Sequence, residues 1–335
     1  MKTNINKNTK FDVPKRLDRQ LHSINQNHLQ IRTIVGESFA VMGFAGWLGF
    51  FLVGLPVIAT IITILPEEIE RYQSGLSDSL TLILILICVK VAFILGTIGS
   101  SFFYSHQLKR STPILFDRKD KAIRMIQMGV LYECSWNNVK GVIQNMTSAA
   151  GVVITQDTAI VLKMKPVRNI NGKPLNRQQQ KTANAVIEES FTADGYDGCE
   201  MAWEFIREFM ENGPEDLDVP KRLYYPLSSK TTRTSISFRE AVSYHWPFPP
   251  YRDNEPTTLQ VIKTILVPVR LAFYIPNVLA DGCWHWMMNW GKPKMLLPEQ
   301  EKATQNAITP DMVFNILGKD KEFMPYPEAK AKLYS

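Results

Sequence analysis

The sequence predicts an α+β membrane protein, and three features carry that expectation. Two long apolar stretches lie close together near the N-terminus, a run of short alternating segments follows, and one amphipathic stretch closes the run. The expected architecture is a two-helix transmembrane hairpin, an antiparallel β-domain of about seven strands with a C-terminal helix, and a helical, aromatic-rich extension. In residue terms these are a basic tail at 1–36, the hairpin at 37–104, the β-domain at 105–217 and the extension at 218–335.

The hairpin is the clearest element. Residues 39–65 carry no charged side chain over 27 positions, and residues 80–104 carry only Lys90. About 20 apolar residues cross a ~30 Å hydrocarbon core as a helix, so each arm is long enough. A helix packed on the surface of a soluble core normally keeps a polar face, and these arms have none. Between them, residues 66–79 (PEEIERYQSGLSDS) are polar and contain Pro66 and Gly75, as an exposed turn requires.

Charge sets the expected orientation. The 1–36 tail carries Lys2, Lys7, Lys10, Lys15, Arg16, Arg19 and Arg32 against Asp12 and Asp18, and Lys109, Arg110 and Arg118 follow the second arm. The turn is acidic, with Glu67, Glu68, Glu70 and Asp78 against Arg71. Lysine and arginine near span ends stay on the cytoplasmic side, so both termini are expected there. Residues 1–36 lack the short apolar core of a cleavable signal, which makes the first arm an uncleaved anchor.

Within the tail, the first ~15 residues read as disordered. Residues 16–34 place Leu17, Leu21, Ile24, Leu29, Ile31 and Ile34 so that a short amphipathic helix could lie on the inner leaflet. In the first arm, Ala45 and Gly49 form a small-xxx-small step, and Gly96 and Ser100 form another in the second. Such steps let helices approach closely, either arm against arm or between copies of the chain. Pro56 is expected to kink the first arm. Lys90, at a cost of roughly 2.5–3.5 kcal/mol near a span centre, either snorkels with help from Thr60 and Thr63 or meets an acidic group on a partner's membrane helix.

After the hairpin the period switches to two. Segments at 113–116, 122–128, 130–136, 139–144, 152–156, 159–164 and 185–191 alternate apolar and polar positions, punctuated by Gly129, Gly151 and Asp157. Residues 165–184 look like a mobile loop with a turn at Asn171-Gly172. Residues 198–212 (GCEMAWEFIREFMEN) form an amphipathic helix that Gly213-Pro214 stops. Strands closed by one helix are the element order of a pleckstrin-homology-like domain.

Three runs now carry a resemblance. PILFDRKDKAIRM at 113–125, ECSWNNVKGVI at 133–143 and MAWEFIREFMENGPEDL at 201–217, behind a two-span hairpin, resemble an uncharacterised family of Gram-negative inner-membrane proteins. Members of that family are often encoded near type VI secretion and Rhs-type toxin genes. The resemblance covers roughly residues 35–220 and transfers no catalytic residue. It implies an inner-membrane immunity or accessory protein with a secreted toxin or secretion component as partner. The alternative is a membrane-anchored scaffold or lipid-sensing module.

The last third is less regular. Ser237 with Glu240 three residues on has capping-box spacing and starts a short helix. Residues 259–280 (LQVIKTILVPVRLAFYIPNVLA) are apolar, but Arg270 at the centre and Pro268 and Pro276 argue against a third span. With Lys263, Arg270, Tyr274 and Asn277 near one face, the helix is expected to lie in the membrane interface or to pack on the β-domain. Trp284, Trp286 and Trp290 suit either a membrane–water boundary or a core.

The chemistry sought elsewhere is missing. Cys88, Cys134, Cys199 and Cys283 are scattered, so no disulfide or zinc site is indicated, and no cofactor motif is present. His245 and His285 each neighbour a tryptophan, which favours packing over ligation. The basic stretch at 109–124 lacks the aromatics that stack nucleic-acid bases. A non-enzymatic binding protein is the expectation, with Lys90, Arg270, Trp284, Trp286 and Trp290 as the residues of interest.

Overall fold

Sheet and hairpin are interleaved in this chain. The computed structural model describes residues 2–17, 20–32, 34–74, 80–150, 153–189, 197–221, 236–248, 257–290, 298–317 and 321–334. Near the N-terminus come three strands, β1 (Lys2–Asn6), β2 (Leu21–Ile24) and β3 (His28–Ile31). The chain then leaves as α1 (Ile34–Gly49), passes a π-helical turn at Phe50–Gly54, and continues as α2 (Leu55–Gln73). It returns as α3 (Leu80–Lys109).

This corrects the expectation of a disordered tail and a surface helix. Leu21, Ile24, Leu29 and Ile31 are buried in the main core, and Ile5 and Leu17 join them. The spacing of Leu17, Leu21 and Ile24 fits a helix, but Leu29 and Ile31 alternate. The reversal at Asn25–Asn27 is closed by the Asn25 side chain, whose Oδ1 accepts from the amides of Asn27 at 3.0 Å and His28 at 2.8 Å. Unpaired edges of the sheet then decide the outcome, because strand preference depends on the neighbours available.

Those neighbours follow α3. They are β4 (Ile114–Asp117), β5 (Ala122–Gln127), β6 (Val130–Ser135), β7 (Lys140–Ala150), β8 (Val153–Asn169) and β9 (Ala183–Glu189). All pairings are antiparallel, and among the described residues the curled sheet has the order β1-β7-β8-β6-β5-β4-β3-β2, with β9 also on β8. Two of the expected strands, 152–156 and 159–164, belong to one long strand. β8 pairs with β7 along Val153–Leu162 and with β6 beyond it, so it runs through both halves of the curl. The expected loop therefore starts only after Asn169, and its turn is where the sequence placed it, with Gly172 at φ 72°.

The core is closed by α4 (Gly198–Glu211), which Asp197 caps by accepting from the Cys199 amide. Trp136, at the bend between β6 and β7, meets Trp203 of α4 with ring centroids 5.6 Å apart. The N-terminal segment runs along this helix. Trp203 Nε1 donates to Thr9 O at 3.2 Å, Phe11 N donates to Glu204 Oε1 at 2.8 Å, and Lys15 pairs with Glu208 at 2.9 Å.

The remaining elements are β10 (Asp218–Pro220), α5 (Phe238–Tyr244), α6 (Thr257–Ile265), α7 (Val267–Asn289), α8 (Pro298–Thr304), α9 (Pro310–Leu317), β11 (Phe323–Pro325) and α10 (Tyr326–Tyr334). β10 and β11 pair with each other, and Ile24 bridges to Ile308. The C-terminal segment thus folds back onto the N-terminal strands.

In the hairpin, two stretches are long and apolar enough to cross a membrane, Val41–Gln73 and Ile87–Lys109. A π-helical turn, Phe50–Gly54, lies just before Pro56, the position where a kink is expected. Proline lacks an N–H and its ring crowds the preceding turn, and an i→i+5 turn relieves that conflict. Helix also continues through Pro66 to Gln73, beyond the expected start of the turn; residues 75–79 lie outside the described residues.

Candidate functional site

The root of the hairpin, where it meets the sheet domain, gathers three of the five residues singled out by sequence. Here α7 packs against α1 and α3 instead of the β-domain. Trp284 is 2% exposed, clustered with Met287, Trp47, Tyr104, Leu108 and Met288. Its indole lies directly over Gly43, in the space that a side chain there would fill. Ser101 Oγ donates to the Gly43 carbonyl at 2.8 Å, tying α3 to α1 at the same level.

One turn on, Gly46 lets the two arms meet. A methyl group there would come within 2.7 Å of Ser100 Oγ and of the Thr97 carbonyl. Of the expected step, Gly49 faces the second arm, with Thr97 Cγ2 3.5 Å from its Cβ position, whereas Ala45 is exposed. Gly96 is different, with open space around its Cβ position.

Trp286 and Trp290 take the other role open to tryptophan. They are 54% and 61% exposed and stack on each other, centroids 5.4 Å apart with planes 11° apart. Lys109 Nζ donates to the carbonyls of Met287 at 2.7 Å and Trp290 at 2.6 Å. These are carbonyls that a helix end leaves without partners, so the end of α3 caps the end of α7.

A hydrogen-bonded pair missed in the sequence sits beside this junction. His245 Nε2 is 2.5 Å from Asp281 Oδ2, with side chains 10% and 3% exposed. It joins the end of α5 to α7. No spacing rule connects positions 36 apart. α5 itself carries the expected capping box of Ser237 and Glu240.

The remaining two residues stand apart. Arg270 lies fourteen residues before Trp284, about 21 Å along the helix. Its Nη1 is buried without a hydrogen-bond partner. Lys90 is half-buried, with no hydrogen bond or ion pair among the described residues. Thr60 and Thr63 donate to carbonyls of their own helix, Val57 at 2.8 Å and Ala59 at 2.9 Å. Residues 259–280 are helical, but their polarity is inverted relative to a water-facing surface helix. Lys263, Arg270, Tyr274 and Asn277 are half-buried, while Ile262, Ile265, Val269 and Phe273 are exposed.

Among the described residues no group of three or more His, Cys, Asp or Glu is placed to hold a metal ion. No family model, curated protein or solved structure matches the chain. The site's reading therefore rests on its own geometry.

Proposed function

We propose that this protein is a membrane-anchored, non-enzymatic binding protein whose sheet domain is held against one face of a bacterial inner membrane. The pairing of β3 with β4 carries this reading. His28 lies opposite Asp117 and Ile31 opposite Ile114, and the whole hairpin is inserted between these neighbouring strands. A single crossing would place β3 and β4 on opposite sides of the bilayer, so the ladder demands an even number. Two crossings, an acidic turn outside and lysine and arginine at the root satisfy both the ladder and the charge rule.

The inverted polarity of α6 and α7 supports lipid as a partner. Exposed isoleucines and phenylalanine are ordinary against acyl chains, and the Trp286–Trp290 stack suits the headgroup level. The curled antiparallel sheet closed by α4 supports the pleckstrin-homology-like reading of the domain. The protein partner follows from the family resemblance alone: a secreted toxin or secretion component, with this chain acting as immunity or accessory protein. A scaffold without a toxin is the competing reading.

Two experiments test the proposal. Reporter fusions at Ser335 and within residues 75–79 read topology; a cytoplasmic signal from the first and an external one from the second are expected, and signals from the same side overturn the hairpin. Competition between a toxin-secreting parent and a sibling lacking the gene reads function. Killing of the sibling, with rescue by the gene, supports immunity; survival where a control target dies favours the scaffold.

A further inference from the structure

A cleft lies at the opposite end of the β3–β4 ladder from the hairpin. It has a volume of about 530 Å³ and opens between the β2–β3 turn, the β4–β5 turn and the C-terminal helices α8 and α10. That volume lies in the range of roughly 300–1,000 Å³ typical of small-molecule sites.

The walls are fixed to one another. Arg118 N donates to Asn27 O at 2.9 Å, joining the two turns. Asn25 Nδ2 donates to the carbonyls of Ala303 at 3.2 Å and Gln305 at 3.3 Å, joining the first turn to the end of α8. The Ile24–Ile308 bridge closes the same seam. A cleft assembled from three distant parts of the chain and cross-linked in this way needs little rearrangement to bind.

Its charge is unbalanced towards cations. The two carboxylates on its wall, Asp117 and Asp120, both pair with Arg124, whose guanidinium lies 3.1 Å from each and also 3.1 Å from Glu133. Lys119, Lys302 and Lys330 come from three separate parts of the chain, and their ammonium groups make no hydrogen bond or ion pair among the described residues. His28 adds a buried Nδ1 without a hydrogen-bond partner, while its Nε2 is 3.9 Å from Asp117 Oδ2. Burial lowers the pKa of this imidazole, and Asp117 and Asp120 only partly offset that.

We propose that this cleft binds a small anion carrying more than one phosphate charge, with Lys119, Lys302 and Lys330 as its cationic contacts. Lysine ammonium groups act as point-charge phosphate binders, and three of them outnumber the two carboxylates on the wall. Tyr326, the aromatic residue on the wall, is 3% exposed. A nucleobase therefore finds no open face to stack on, and the phosphates supply the recognition. A soluble anion is the source, because the cleft lies away from the hairpin. That last point rests on the anchored reading above.

The test is calorimetric titration of the full-length protein in lipid nanodiscs with pyrophosphate, in a zwitterionic and an anionic lipid. Saturable binding of equal affinity in both is expected. A Lys302→Gln/Lys330→Gln double variant should bind about tenfold or more weakly, a loss of about 1.4 kcal/mol or more. Lys332→Gln, which loses only a partner of Glu328, should bind as wild type. The substituted lysines are exposed, so melting temperatures should match and a lost signal is not a folding failure. No saturable heat, or equal binding by the double variant, overturns the site. Loss of pyrophosphate binding in anionic discs alone would mean that lipid headgroups fill the cleft, and overturns the soluble source. Entry into nanodiscs reads the anchoring separately.

Discussion

Trp284 occupies the side-chain position that Gly43 leaves empty. The indole of α7 rests on the backbone of α1, and neither helix can approach the other in this way if position 43 carries a side chain. The contact fastens the C-terminal extension to the root of the hairpin.

Gly43→Leu should therefore release α7 from α1, and Trp284→Ala should open a cavity in the same place. Loss of a buried large aromatic costs roughly 3–5 kcal/mol. Thermal unfolding in detergent should show a lowered melting point for both. Trp286→Ala, on the exposed side, should leave it unchanged.

Position 46 gives a sharper contrast. Gly46→Leu would drive a side chain into Ser100 and the Thr97 backbone, whereas Gly96→Leu enters open space. Disulfide trapping between cysteines placed on α1 and α3 should fail in the first variant and proceed in the second. Equal trapping in both would show that the arms do not pack through Gly46.

The N-terminal strands are expected to be essential to the fold. Leu29 is fully buried between β2 and β4, and Leu29→Ala should destabilise the sheet domain by roughly 2–5 kcal/mol. Denaturant unfolding followed by tryptophan fluorescence reads this through Trp136 and Trp203. A dispensable tail would give no change.

His22 is expected to make the domain acid-sensitive. Burial, helped by the charge of Arg32, pushes its imidazole from 6.5 down to about 4. The folded state thus binds fewer protons than the unfolded state between those values. Stability contributed by the neutral ring is complete above pH 6.5 and is lost as pH falls towards 4. A few kcal/mol are at stake for a shift of this size. His22→Gln should flatten the fall in stability across pH 6.5 to 4, measured by chemical denaturation.

The sequence by itself determined the elements whose signal is local. Uncharged arms around Lys90, alternation from Ile114 to Glu189, the amphipathic run of α4 and the Ser237–Glu240 cap all depend on residues within a turn or two of each other. Charge placed lysine and arginine at both ends of the hairpin for the same reason. What the sequence could not determine is which distant segments meet. Strand pairing is chosen by the edge on offer, so Lys2–Asn6 with its single buried Ile5 becomes a strand only because β7 lies beside it. The same holds for β2 and β3, whose partner β4 lies beyond the whole hairpin. Tertiary structure alone divided the tryptophans, burying Trp284 where Gly43 leaves a gap and exposing Trp286 and Trp290. It also brought His245 to Asp281 and gathered Lys119, Lys302 and Lys330 around one cleft. Neither polar grouping has a local pattern, because neither depends on residues that are neighbours in the chain.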